Sequence, residues 1–150
     1  MKDKFFYTIT PFGCTITDYT GKDEVVKVPE EINGHKVTEI GMYAFSGCAT
    51  YVKKIIIPEG VDLISHHAFR GCSKLETIVF PESLRRIFNG AFKDCPSLKV
   101  INFKGTKEQW KKVSISEDIS HIKVTFNTER SMLSAFLNDC KDAEEIRKIK

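Results

Sequence analysis

The chain has 150 residues, 41% of them hydrophobic and 29% charged, with a formal net charge of +3. This length allows one domain with a real core, the balance is that of a soluble globular protein, and so mild a charge gives no argument for nucleic acid or a membrane surface. Five cysteines, Cys14, Cys48, Cys72, Cys95 and Cys140, are odd in number and not closely paired, which argues against a disulfide framework.

In chain order, Phe5 to Thr20 alternates as strands do: "FFYTIT", a turn at Pro11-Phe12-Gly13, then "CTITDY". Gly13 suits a hairpin loop, and the hairpin is expected to form an N-terminal cap over residues 1–24. The opening "MKDKFFYTITPFG" lacks the apolar run of a signal peptide, and no stretch approaches the eighteen or so apolar residues of a membrane helix, so a cytoplasmic location is expected. Val25 to Val28 reads as a strand.

Three similar stretches come next: "VPEEINGHKVTEIGMYAFSGCATYVKKII", "IPEGVDLISHHAFRGCSKLETIV" and "FPESLRRIFNGAFKDCPSLKVIN". Pro58 and Pro81, Phe69 and Phe92, and Cys72 and Cys95 are each 23 residues apart, as are Ile55, Ile78 and Ile101. Phe45 and Phe69, and Cys48 and Cys72, are 24 apart. A fixed period in this range predicts a solenoid whose units bury their apolar sides against one another.

Within a unit, "LETIVF" reads as a short strand with Leu75, Ile78 and Phe80 inward. Pro81 ends it, because proline cannot donate to a strand ladder. Leu84 and Ile87 turn inward on the return crossing. "AFKDC" is expected to make a short turn of helix, with Ala91 packed closely and Phe92 in the interior. "INGHKV" lengthens the first coil through a surface turn at Asn33-Gly34.

The repeat is expected to stop at Phe103. Residues 104–127 should then close the C-terminal end, through a short helix capped by Thr106 and carrying Trp110 and Val113, and through a last strand, "HIKVTF". Beyond Thr128, Met132, Leu133, Phe136, Leu137, Cys140 and Ala143 fall at helical spacing and predict an added amphipathic helix over 128–150.

The pattern I-P-x-x-[LIV]-x-x-I-x-x-x-A-F-x-x-C-x-x-L-x-x-I resembles the BspA-like leucine-rich repeats of bacteria and protists, strongly from Val28 to Phe103. The resemblance implies a mostly β, α/β-type solenoid of about three full coils over residues 25–103, and a family whose members are often surface or secreted proteins that bind other proteins.

No stretch carries a catalytic signature, and neither a cofactor nor a metal is expected. Cys48, Cys72 and Cys95 recur at one position of the coil. A one-sided ladder does not supply a tetrahedral zinc site, so they read as small apolar packing residues. His66 and His67 stand where the other coils carry Met42-Tyr43 and Asn89-Gly90, which reads as a solvent-facing turn. Lys104, Lys107, Lys111 and Lys112 surround Trp110, a weak candidate for phosphate contact interrupted by Glu108.

If Leu75, Ile78 and Phe80 face inward, Thr77 and Val79 face out. The equivalent outward pairs are Val25 and Lys27, Lys54 and Ile56, and Val100 and Asn102. An apolar row of Val25, Ile56, Val79 and Val100 with a lysine-bearing rim is the expected partner-binding surface. The function expected is a non-catalytic protein-interaction module, an adaptor or an inhibitor of a host or phage machine. The alternative is homo-oligomerisation through Met132, Leu133, Phe136 and Leu137 of the last helix, with nucleic-acid binding through the lysines a weaker third.

Overall fold

The computed structural model describes residues 4–46 and 50–127. Cys48 and the 128–150 stripe, with Met132, Leu133, Phe136 and Leu137, lie outside the described residues. The chain opens on an antiparallel hairpin, β1 (Phe5–Thr10) and β2 (Gly13–Tyr19). Then come β3 (Val25–Lys27), β4 (Glu31–Ile32), β5 (His35–Ile40), β6 (Lys54–Ile56), β7 (Leu63–Ile64), β8 (Thr77–Phe80), β9 (Arg86–Ile87) and β10 (Val100–Phe103). The four-residue helix α1 (Lys107–Trp110), β11 (Ser114–Ile115) and β12 (Lys123–Phe126) complete the order.

These elements make two sheets. The first is wholly parallel, in the order β3, β6, β8, β10, β12. The second runs β1, β2, β5, β7, β9, β11, with β4 also paired to β5. Each turn of the chain therefore lays one strand in each sheet, and the core fills the space between them.

Register turns the sequence period into rows of like side chains. Val26, Ile55, Ile78, Ile101 and Val124 are in-register neighbours on the inner side of the first sheet. Ile16, Ile40, Ile64, Ile87 and Ile115 make the facing row in the second. Between them stack Tyr19, Phe45, Phe69 and Phe92, with successive ring centroids 5.6, 5.5 and 5.9 Å apart. Ala44, Ala68 and Ala91 are buried beside the rings. A fully buried isoleucine or phenylalanine contributes roughly 1.5–3 kcal/mol over its exposed state, so most of the stability lies in these rows.

Two expectations are corrected. The solenoid has five turns, not three. Residues 104–127 keep both rows going, because Val124 pairs with Ile101 and Ile115 with Ile87. The insertion of α1 stretches the interval from Ile87 to Ile115 to 28 residues and hides the repeat. The segments expected to be helical, such as Ala91–Cys95, are hydrogen-bonded turns and not helices. Some of their backbone N–H groups bond sideways to the next coil, Phe45 to Ala68 O and Phe69 to Ala91 O at 2.9 Å each, while flanking ones close the turn itself, as Arg70 N–H does on His67 O at 3.1 Å, so no continuous helical ladder forms.

The turn at Asn33-Gly34 forms, with φ of 51° and 80° joining β4 to β5, and the Asn33 amide donates to the Tyr7 hydroxyl. Thr106 caps α1 in a reciprocal capping box with Gln109, and Trp110 packs on Phe103 at 5.1 Å.

Candidate interaction surface

Side chains alternate across a strand, so each outward position of the first sheet becomes a row across all five strands. One row reads Val25, Lys54, Thr77, Val100, Lys123; the other reads Lys27, Ile56, Val79, Asn102, Thr125. The eight residues predicted from the sequence thus share one face, in the expected pairs. They do not form a single apolar row. β6 and β8 carry their apolar residue at the second outward position, β3 and β10 at the first. Ile56 and Val79 are direct neighbours, whereas Val25 and Val100 are separated by Lys54 and Thr77.

Exposure divides in the same way. Val25, on the edge strand, is 56% exposed, while Val79, with Ile56 and Asn102 on either side, is only 7% exposed. Ile56, Thr77 and Val100 are half-buried, and Lys27, Lys54 and Asn102 are exposed. An apolar centre of Ile56 and Val79 is therefore framed by amine and amide groups.

At the carboxyl ends of these strands the face runs into a groove of about 370 Å³. Its walls are Val28, Pro29, Ile56, Pro58 and Phe5, with Lys27 and Lys104 set against Glu30 and Glu59. The prolines are those that end each strand, so part of the groove is written in the repeat. Phe5 and Lys104 come from distant chain segments, and nothing in the sequence placed them beside these prolines.

The remaining candidates are not brought together as sites. Lys104 and Lys112 line separate depressions, and Glu59 lies in both. His66 and His67 point into different stacks, His66 on Phe88 at 4.8 Å and His67 on Tyr43 at 5.1 Å. His67 is half-buried with a left-handed backbone, φ 58°, so its position is more constrained than a free surface turn.

Cys72 and Cys95 are buried, and their thiols donate to Phe45 O at 3.5 Å and Phe69 O at 3.0 Å. A hydrogen bond with the Cys72 side chain lowers the Cys95 thiol below its ordinary value, against the opposing effect of burial. Nearby, burial raises the Glu117 carboxyl, although it accepts the Phe92 N–H at 3.1 Å. Among the described residues no group of three His, Cys, Asp or Glu side chains is placed to hold a metal ion. Nor is any helix among them long and apolar enough to cross a membrane.

Coils that stack in register, with a parallel sheet on one side and turns between, define a leucine-rich-repeat solenoid. The chain belongs to the BspA type leucine rich repeat family, whose model matches residues 26–147 in 6 copies. The match runs past Phe103, in agreement with the additional turns.

Among solved structures, a leucine-rich-repeat protein of T. pallidum aligns with a TM-score of 0.67 at 30% identity, over 84% of this chain and 63% of its own. One from Bacteroides capillosus aligns with a TM-score of 0.69 at 22% identity, over 83% of this chain and 94% of its own. One from Bacteroides ovatus aligns with a TM-score of 0.58 at 28% identity, over 83% of this chain and 36% of its own. The chain thus spans less than two thirds of the T. pallidum and Bacteroides ovatus proteins. A comparison with curated proteins finds no match.

Proposed function

We propose that this protein is a non-catalytic module that binds a protein partner through the outer face of its first sheet and the adjoining groove. Membership of a repeat family built to present surfaces supports the reading. The observation that carries it is the juxtaposition of Ile56 and Val79 with the apolar groove, ringed by Lys27, Lys54, Lys104 and Asn102.

Size sets how the surface must be used. Five strands about 4.8 Å apart give a face roughly 25 Å wide, a few hundred Å² in area. A standard interface buries about 800 Å² per partner. A partner that reached only the sheet would bind weakly, so the groove is an integral part of the site. Its mixed rim of two lysines and two glutamates suits a partner segment that is apolar in the middle with both charges at its flanks.

The test is affinity capture from the native host with quantitative mass spectrometry, comparing the wild type with Ile56→Asp and with Lys111→Ala, just after α1, as the control. A partner retained by the control and lost from Ile56→Asp supports the face. Unchanged capture by an Ile56→Asp protein with a native circular-dichroism spectrum would place the site elsewhere.

A further inference from the structure

The four sheet edges of the solenoid are not alike. The first sheet ends in β3, three residues long and carrying Lys27, and in β12, which begins with Lys123. The second ends on one side in the two-residue β11, directly preceded by Lys111, Lys112 and Val113. Short edges and edge lysines are the devices that keep sheets from pairing with another chain.

β1 is built otherwise. It is six residues long, "FFYTIT", without charge and without proline. Among the described residues β2 is its only strand partner, and none of them forms a strand on its outer side. Phe6 and Ile9 on this strand are 54% and 42% exposed, and Phe12 at the hairpin tip is 89% exposed. Next to it in sequence, Lys4 is held by Asp23 at 2.9 Å, and on β2 Asp18 lies across from Phe6. Such a strand has the length, the β-propensity and the neutrality of a pairing segment.

We propose that β1 pairs antiparallel with β1 of a second copy, continuing the second sheet across a two-fold axis. Charge decides the occupant and its direction. Parallel pairing would set Lys4 beside Lys4 of the second copy, whereas antiparallel pairing sets it beside the uncharged hairpin end. An axis through Thr8 places Thr8 opposite Thr8 of the second copy and Phe6 opposite its Thr10, all uncharged. Two copies of one strand also match in length, and a two-fold contact closes on itself and does not run on into a filament.

The contact is small. One strand pair with a few apolar side chains buries less than the roughly 800 Å² per chain of a standard interface, so the dimer should form reversibly at about micromolar concentration or above. It uses the second sheet and leaves the partner-binding face of the first sheet open.

Sedimentation equilibrium of the full 150-residue chain across micromolar to millimolar concentration tests this. The wild type is expected to shift from monomer to dimer. Thr8→Lys and Thr8→Glu, each with a native circular-dichroism spectrum, are expected to stay monomeric alone and to pair when mixed, because position 8 faces itself. Hydrogen exchange on the wild type needs no variant: protection of the β1 amides should rise with concentration while that of β12 stays constant. A monomer throughout, a Thr8→Lys protein that still dimerises, or an association abolished only by removing residues 128–150 would each overturn the proposal.

Discussion

Phe69 and Phe92 stack with ring centroids 5.9 Å apart and planes 2° from parallel. Phe69 also meets Phe45 at 5.5 Å and Phe80 at 6.4 Å, so it sits in the middle of the aromatic column and is fully buried. Among the described residues Phe92 has a ring on one side of the column only, besides Phe80. Truncating Phe69 to Ala removes contacts to two coils at once. Phe69→Ala is expected to cost about 3–5 kcal/mol of unfolding free energy, as for other buried aromatic truncations. Phe92→Ala should cost less. Urea denaturation of the two variants checks the order; a larger loss at Phe92 would show that the column is not what joins the coils.

That column was legible in the sequence. Phe45, Phe69 and Phe92 recur at 24 and 23 residues, and a near-constant interval is what register preserves in space. Ile55, Ile78 and Ile101 gave the first sheet in the same way. The second sheet was not legible as a sheet. β7, β9 and β11 are two residues long, too short for alternation to show a period. The one trace of this sheet is an isoleucine per turn at 40, 64 and 87. The last turns escaped because α1 lengthens one return crossing while the strand spacing stays 23, from Ile101 to Val124.

The turn residues show the same contrast. Tyr43, His67 and Gly90 occupy equivalent positions, and all three have left-handed backbones, with φ of 59°, 58° and 77°. Three dissimilar residues in one place read as a free surface position, yet backbone conformation and not side-chain freedom unites them. A Cβ added to Gly90 would lie 2.4 Å from the His67 ring. Gly90→Ala should therefore be destabilised twice, by about 1–2 kcal/mol for an L-residue with left-handed backbone and by the clash with the imidazole. Replacing His67 with Ala removes the clash alone. In a double-mutant cycle read by thermal or urea unfolding, Gly90→Ala is expected to cost less in the His67→Ala background. Equal costs in both backgrounds would mean that the ring is free to swing away.

The candidate face was half legible for a related reason. Alternation identified which residues point outward, and the eight chosen do share one side. Alternation within a strand does not say which positions on different strands become neighbours, and that decides whether apolar residues form one strip or two. The groove was less legible still, since Phe5 reaches it from the hairpin and Lys104 from the end of β10.

Two carboxylates give the molecule opposite responses to pH. Glu39, on the outer side of the second sheet, is raised above its ordinary value of 4.5, first by burial and further by the Asp62 carboxylate, with the Thr15 hydroxyl at 3.3 Å opposing. Asp23 is lowered, first by the Tyr19 hydroxyl at 2.6 Å and then by Lys4. A group raised in the folded state contributes stability that is full below its unfolded value and is lost as pH rises through the folded one. A lowered group contributes stability above its unfolded value, lost as pH falls through the folded one. Glu39→Gln, which mimics the neutral acid, is therefore expected to match the wild type in acid and to exceed it in thermal midpoint at neutral pH. Asp23→Asn should be less stable than the wild type at neutral pH and converge with it in strong acid. Thermal unfolding of the three proteins from acid to neutral pH checks both signs. A Glu39→Gln protein less stable than the wild type at neutral pH would mean that the Thr15 hydrogen bond outweighs the cost of burying the charge.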